Sequence, residues 1–336
     1  MIDINNRRYI GSKFKLLSNI EKQLNNIDLK GKTFADFFAG TGVVAYHFAN
    51  LGMKTIINDI LLSNLIVYRT FFSDEKVNHE LLEKTINKFN DLKYSDIKEN
   101  YFSDTYGNKY FSINDSKKIG FIRDYLKENK RKFNEREYNY LLTSLMYATD
   151  KIANTVGHFE HYLKKKPVDS NFVLQHINIK NIKGASIYNE DVNGKLKYKK
   201  CDIAYIDPPY NARQYINFYH VLENLVRWEK PTEFEGNSMK FKRDNLKSGY
   251  SRSEAPMLFE DLIESINAEI IIVSYNNTYT AKSIASNNKI SEEQIINILN
   301  KKGKVSKTEI DYKGFQSGKT DFKNHKEYLF KCEVTK

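Results

Sequence analysis

The sequence predicts an α/β protein with a Rossmann-like, doubly wound core and a mainly helical insertion. Three observations carry this reading. Residues 33–59 hold a strand, a glycine turn, a helix, a second strand and an acidic residue, the layout of a mononucleotide-binding βαβ unit. The α/β rhythm then stops from about Phe72 to Lys183, where the chain is polar and helical in pattern. It resumes at the apolar run Ile203-Ala204-Tyr205-Ile206, which ends on Asp207-Pro208-Pro209-Tyr210.

Along the chain, Leu17, Ile20, Leu24 and Ile27 recur at helical spacing and predict a helix within 13–27. Thr33–Phe38 reads as a strand ending at Gly40-Thr41-Gly42, followed by a helix over Val43–Leu51 and a strand over Thr55–Asn58 that ends at Asp59. The helical region carries the basic stretches 127–132 and Lys164-Lys165-Lys166. Beyond Ile206, the stretch Glu235–Pro256 sets Lys240, Lys242, Arg243, Lys247 and Arg252 among Gly and Ser. It reads either as a mobile loop near the strand ends or as a plain solvated loop. A helix over Leu258–Asn267, a strand over Ile270–Ser274, a helix over Ser291–Leu299 and a strand over Glu327–Val334 complete the pattern. The expected organisation is a core in two parts, 1–72 and 184–336, interrupted by an insertion at 73–183. A chain of 336 residues can bury such a core.

The formal net charge of +11 favours a polyanionic partner. Cys201 and Cys332, the two cysteines, lack metal-ligand spacing and give neither a disulfide framework nor a zinc signature, so no metal is expected. No apolar stretch is long enough to span a membrane and no secretory leader is evident, so a cytoplasmic location without membrane contact is expected.

Two of the five prolines follow Asp207, so a strand-end carboxylate is backed by a stiff turn and a flat aromatic ring. This set suits chemistry at an exocyclic amine of a planar base. Such an amine is a weak nucleophile because its lone pair is delocalised into the ring. A carboxylate and a backbone carbonyl that accept its N–H groups would favour a pyramidal nitrogen, while Tyr210 stacks on a base taken out of its duplex. The plainer alternative is an Asx–Pro turn with Tyr210 filling core. Upstream, Gly40 and Gly42 let the backbone approach a ligand without a Cβ in the way. Asp36 could face a cationic amino group and Asp59 could accept from ribose hydroxyls; as plain alternatives, both are cap or turn carboxylates.

With those residues in place, Phe38–Gly42 resembles motif I and Asp207–Tyr210 resembles motif IV of S-adenosylmethionine-dependent adenine-N6 DNA methyltransferases. Arg8-Tyr9-Ile10-Gly11-Ser12-Lys13, followed by Leu16-Leu17, resembles the segment that opens the Dam-like, alpha-ordered branch, whose order of cofactor turn, target-recognition insertion and catalytic motif is also the order here. The stretch Asn211–Tyr215, continuing to Tyr219-His220, resembles the post-catalytic segment of restriction-system modification enzymes. The resemblance implies S-adenosylmethionine as methyl donor, with Tyr9, Lys13, Asp36 and the turn Phe38, Ala39, Gly40 and Gly42 around its methionine end. It further implies that Asp59 holds the ribose and that Asp191, beside Glu190, holds the adenine ring. Asp207 would touch both cofactor and target amine, the Pro208 carbonyl would share the amine, Pro209 would stiffen the turn and Tyr210 would stack on the base.

Double-stranded DNA is the implied partner, with a cognate restriction endonuclease acting on the same site as a further one. Within the insertion, 154–162 and Lys164–Lys166 are candidates for base and phosphate contacts. His158 and His161 lack a third metal ligand. The alternatives are a cytosine-N4 DNA or RNA base methyltransferase and a catalytically silent nucleic-acid-binding module. Cytosine C5 chemistry would need a thiolate nucleophile, a role neither cysteine is placed to fill.

Overall fold

Short apolar runs that alternate with helices can bury both faces only as parallel strands covered on two sides. In a computed structural model, which describes residues 1–279, 284–311 and 325–335, the chain does this in one of two compact units.

The sheet unit comprises 11–60, 184–215 and 245–336. Its strands, numbered along the chain, are β1 Thr33–Asp36, β2 Lys54–Asn58, β3 Ala185–Tyr188, β4 Ile203–Ile206, β5 Ile270–Asn276, β6 Gly303–Asp311 and β7 Lys326–Val334. Their spatial order is β3-β2-β1-β4-β5-β7-β6. The first five are parallel, and β7 runs antiparallel to both β5 and β6. The chain winds outward from β1 through β2 to β3, then returns to the other side of β1 with β4. Strand order therefore reverses between β1 and β4, where Asp36 lies in register with Tyr205. Such a switch point opens a crevice at the carboxyl ends of the strands.

Alternate residues of the central strands feed two layers. Ala35, Ala204, Ile206, Ile271 and Val273 pack with Phe259, Leu262 and Ile263 of the helix Ala255–Ser265 and with Ile295 and Leu299 of the helix Glu292–Asn300. Phe34, from the opposite face of β1, stacks at 4.1 Å on Phe48 of the helix Val43–Asn50. Both rings are fully buried, so truncating Phe34 to alanine would cost about 3–5 kcal/mol.

The second unit takes in 1–10, 61–183 and 216–244. It contains the helices Leu62–Phe71, His79–Asn90, Tyr101–Tyr106, Ile113–Glu128 and Glu135–Ile152, nearly all of Tyr215–Arg227, and a small hairpin of Phe234–Glu235 with Lys240–Phe241. Asn134 caps the helix Glu135–Ile152 in a capping box with Glu137. The buried Arg136 in its first turn ties separate stretches together by donating to the carbonyls of Thr70, Glu75 and Lys180. Residues 73–183, expected as an insertion, lie in this unit together with 1–10, 61–72 and 216–244.

Three local expectations need correction. The helix expected within 13–27 is a 3-10 turn, Phe14–Leu16, and one short helix, Leu17–Lys22. Strands β3 and β6 had no counterpart in the sequence reading: both are edge strands with no buried residue, β3 is only four residues long and β6 is largely polar, so neither carries the continuous apolar run of β4. The stretch Glu235–Pro256 is not one loop. Its first part belongs to the hairpin, with Arg243 buried against Asn217, Glu235 and the Phe241 carbonyl, and its last part forms a turn at Gly249–Ser251 and opens the helix at Ala255.

Candidate active site

Because β1 and β4 are neighbours and parallel, the turns that leave them emerge side by side. After β1 the backbone enters the left-handed region twice, with φ of 53° at Gly40 and 80° at Gly42, where any side chain would be strained. The Gly42 N–H donates to the Ala39 carbonyl at 2.7 Å, and Gly42 opens the helix Val43–Asn50. Asn58, buried at the end of β2, pins this turn. Its Nδ2 donates to the carbonyls of Phe37 and Glu190, both at 3.1 Å, its Oδ1 accepts from the Glu190 N–H at 3.0 Å, and its own carbonyl accepts from the Ala39 N–H at 2.9 Å. Next to it, Asp59 Oδ2 accepts from the Gly40 N–H at 3.0 Å. Sequence reasoning passed over Asn58; the available signal was a buried-strand asparagine directly before the acidic residue.

Asp36, the last residue of β1, is 1% exposed, and neither carboxylate oxygen has a hydrogen-bond partner. Burial, then the charges of Asp207 and Asp59, push its pKa well above the usual carboxylate range. The nearby N–H groups of Ala45 and Phe38 oppose this without reaching hydrogen-bond geometry. A buried carboxylate without a partner is costly, and a cation relieves that cost.

The turn after β4 presents side chains instead of bare backbone. Asp207 Oδ2 pairs with Lys13 Nζ at 2.8 Å, and Oδ1 accepts from the Tyr210 hydroxyl at 2.7 Å. Lys13 is buried, also donates to the Gly11 carbonyl at 3.2 Å, and lies 5.0 Å from the centre of the Tyr210 ring. The Tyr210 ring leans on Tyr275 at 4.5 Å, and its carbonyl accepts from the Tyr275 hydroxyl and the Lys289 N–H. Two further oxygens approach the Tyr210 hydroxyl: Glu327 Oε2 at 3.2 Å and Ser274 Oγ at 3.3 Å. Glu327, on β7, is 4% exposed. Burial raises its pKa to about 7; Lys13 pulls it down and Asp207 pushes it up. Burial together with Asp207 and Glu327 puts the Tyr210 phenol well above its ordinary range.

Asp36, Gly40, Gly42, Asp59, Lys13, Asp207 and Tyr210 thus share one end of the sheet. Phe38 meets the ring of Tyr250 edge-on at 4.9 Å, and the Tyr250 hydroxyl donates to Asn193. Asp191 is exposed and accepts from the Asn193 N–H, so it sits in the turn after β3. Tyr9 belongs to the helical unit, where it stacks on Tyr219 at 4.6 Å with Arg7 against both rings. In the same unit Asn154 Nδ2 donates to the carbonyls of Lys109, Leu163 and Lys165, and His158 is buried against Phe218. These two side chains hold the local scaffold, while Lys164–Lys166 are exposed. Both cysteines are buried, and burial pushes the Cys201 thiol up to about 12. Among the described residues no helix is long and apolar enough to cross a membrane.

The cluster can therefore seat a cationic ligand against Asp36 and offer the Asp207 carboxylate beside an aromatic ring to a second ligand. A family model described as D12 class N6 adenine-specific DNA methyltransferase matches residues 9–278. The chain is 35% identical over 330 residues to the modification methylase StsI of Streptococcus sanguinis, covering 92% of this chain and 49% of that protein. It is 31% identical over 350 residues to the type II methyltransferase M.NlaIII of Neisseria lactamica, covering 97% and 99%. With the type II methyltransferase M.FokI of Planomicrobium okeanokoites the identity is 30% over 314 residues, covering 88% and 47%. The chain thus spans about half the length of the StsI and M.FokI relatives and nearly all of M.NlaIII.

Proposed function

The chain belongs to the D12 class of N6 adenine-specific DNA methyltransferases, and on that premise we propose that it moves a methyl group from S-adenosylmethionine to N6 of a flipped-out adenine in duplex DNA. The observation that carries this reading is the register of Asp36 with Tyr205, which sets the cofactor-side carboxylate beside the start of the Asp207–Tyr210 turn.

The residues fit the donor. Asp36 is a buried carboxylate without a hydrogen-bond partner, which suits the cationic methionine end, and the positive-φ glycine turn next to it carries no Cβ at Gly40 or Gly42 to obstruct a ligand. Asp59 and Asp191 are the candidates for ribose and adenine, and Tyr9 and Lys13 further candidates for the methionine end. When bound, the donor supplies an electrophilic methyl on a sulfonium. The chain's part is orientation. Asp207 and the Pro208 carbonyl accept the two N–H groups of the target amine, and Tyr210 stacks on the extruded base. Asp207 has lone pairs left for this while holding Lys13 and the Tyr210 hydroxyl.

In this reading residues 73–183 recognise the DNA site, with Lys164–Lys166 as phosphate contacts and with 154–162 near the bases. The protein acts in the cytoplasm, and a restriction endonuclease cuts the same site when unmodified. Asp207→Ala is expected to abolish transfer of labelled methyl groups to DNA while calorimetry still detects cofactor binding; full activity in the folded variant defeats the mechanism. Single-molecule sequencing of DNA from a methylation-free host expressing the chain reads base and context together, and N4-methylcytosine there would replace adenine as the acceptor.

A further inference from the structure

The Tyr210 hydroxyl has one hydrogen and three oxygens within bonding distance: Asp207 Oδ1 at 2.7 Å, Glu327 Oε2 at 3.2 Å and Ser274 Oγ at 3.3 Å. The shortest contact takes that hydrogen, so Tyr210 donates to Asp207. An ionised Glu327 would then set a bare carboxylate oxygen against a phenolic oxygen, with no hydrogen between two acceptors in a buried site. A proton on Glu327 removes the conflict.

We propose that Glu327 is a positioning residue of the methyl-transfer site, whose acid proton donates to Tyr210 so that the Tyr210 hydroxyl points at Asp207. The resulting chain runs from Glu327 to Tyr210 to Asp207 to Lys13, each link a side-chain contact, and it ties the turn after β4 to β7 and to the N-terminal segment. It sets the plane of the Tyr210 ring and the rotamer of Asp207 together. Glu327 itself acts through Tyr210. This role rests on the methyl-transfer reading above.

Burial and the charge of Asp207 favour a neutral acid at Glu327, and they outweigh Lys13 and the Tyr210 hydroxyl, which favour the ionised form. Asp207 and Tyr210 approach from the turn after β4, Tyr205 from β4 itself, Lys13 from the N-terminal segment and Ser274 from β5. Asn276 on β5 and Ile310 on β6 are its register partners. Glu309 and Asp311 flank Ile310 and point to the other face of the sheet. His325, two residues before it, is shifted toward its neutral form by burial and by Lys13. Lys13 is the cation acting on Glu327, and it is already paired with Asp207. Burial holds the Glu327 pKa at about 7, so the proton is present below neutrality and is lost as pH rises.

The test compares Glu327→Gln and Glu327→Ala with the parent chain. Glutamine keeps an N–H donor at every pH. Alanine removes the donor, and kcat is expected to fall about ten- to a hundred-fold while the KM for the donor barely moves. The parent's kcat should decline as pH rises through neutrality, and E327Q should restore activity and flatten that decline. Equal kcat in E327A and parent, or an E327Q as impaired as E327A, overturns the proposal. A second measurement is independent of turnover. In protein carrying 13C-carboxyl glutamate, one resonance should titrate near neutrality and be missing from E327Q, and absence of such a titration also overturns it. Failure of the parent chain to methylate DNA would refute the functional reading instead, and the carboxyl titration would still decide the state of Glu327.

Discussion

The turns that leave β1 and β4 stand side by side and are built in opposite ways. The first uses two glycines at positive φ, which carry no Cβ, and follows the buried Asp36. The second uses two prolines, which remove N–H donors and stiffen the chain, and puts forward the side chains of Asp207 and Tyr210. The first turn is stabilised through Asn58 and Asp59, the second through Lys13, Tyr275 and Glu327. The difference teaches a division of labour. On the proposed function, the turn that wraps the donor gives up side chains, whereas the turn that orients the reacting amine keeps them and pins them to distant elements.

Four substitutions test that division, in order of expected effect. Asp207→Ala should lower kcat by about a thousand-fold or more, to no detectable transfer, with cofactor affinity largely kept; an equal loss in calorimetric affinity would show that the two turns are not separate devices. Asp36→Asn should act the other way, weakening cofactor binding at least about ten-fold while stabilising the cofactor-free protein by roughly 1–3 kcal/mol in denaturant titrations. The sign follows from the raised pKa. The contribution of Asp36 to stability is fully present below its ordinary value of 3.8 and is lost as pH rises toward the higher folded value, and the Asn variant should lack that loss. Gly42→Ala forces a side chain to φ 80° and should cost roughly 1–3 kcal/mol, read as a lower Tm, together with weaker cofactor binding. Pro209→Ala should be mildest, with stability changed by up to about 1 kcal/mol and kcat by a few-fold at most.

Strands β1, β2, β4 and β5 were legible because a strand buried on both faces must be apolar along its length, and local turn chemistry marked the glycines and prolines at their ends. The edge strands β3 and β6 were not, because one solvated side dilutes the apolar signal. Nor did composition reveal that residues 1–10 and 216–244 would share a compact unit with 61–183, since helical periodicity shows an apolar face without naming what it packs on.

Asp207, Tyr210, Gly40, Gly42 and Asp36 were singled out as candidates in the amino-acid order itself, because turn chemistry and strand-end position are local properties. Lys13, although read as a cofactor residue, is seen as the partner of Asp207 only in three dimensions; the contacts of Asn58 are seen only there too, and Glu327 emerges only there. Glu327 reaches Tyr210 across 117 positions of sequence because β7 pairs antiparallel with β5, whose Ser274 meets the same hydroxyl. The sequence by itself thus determined the two chemical turns, a consequence of local backbone and side-chain chemistry. The tertiary structure decided which buried charges and hydroxyls meet there, because hydrogen-bond partners and proton affinity depend on through-space distance and desolvation, which strand register and burial create.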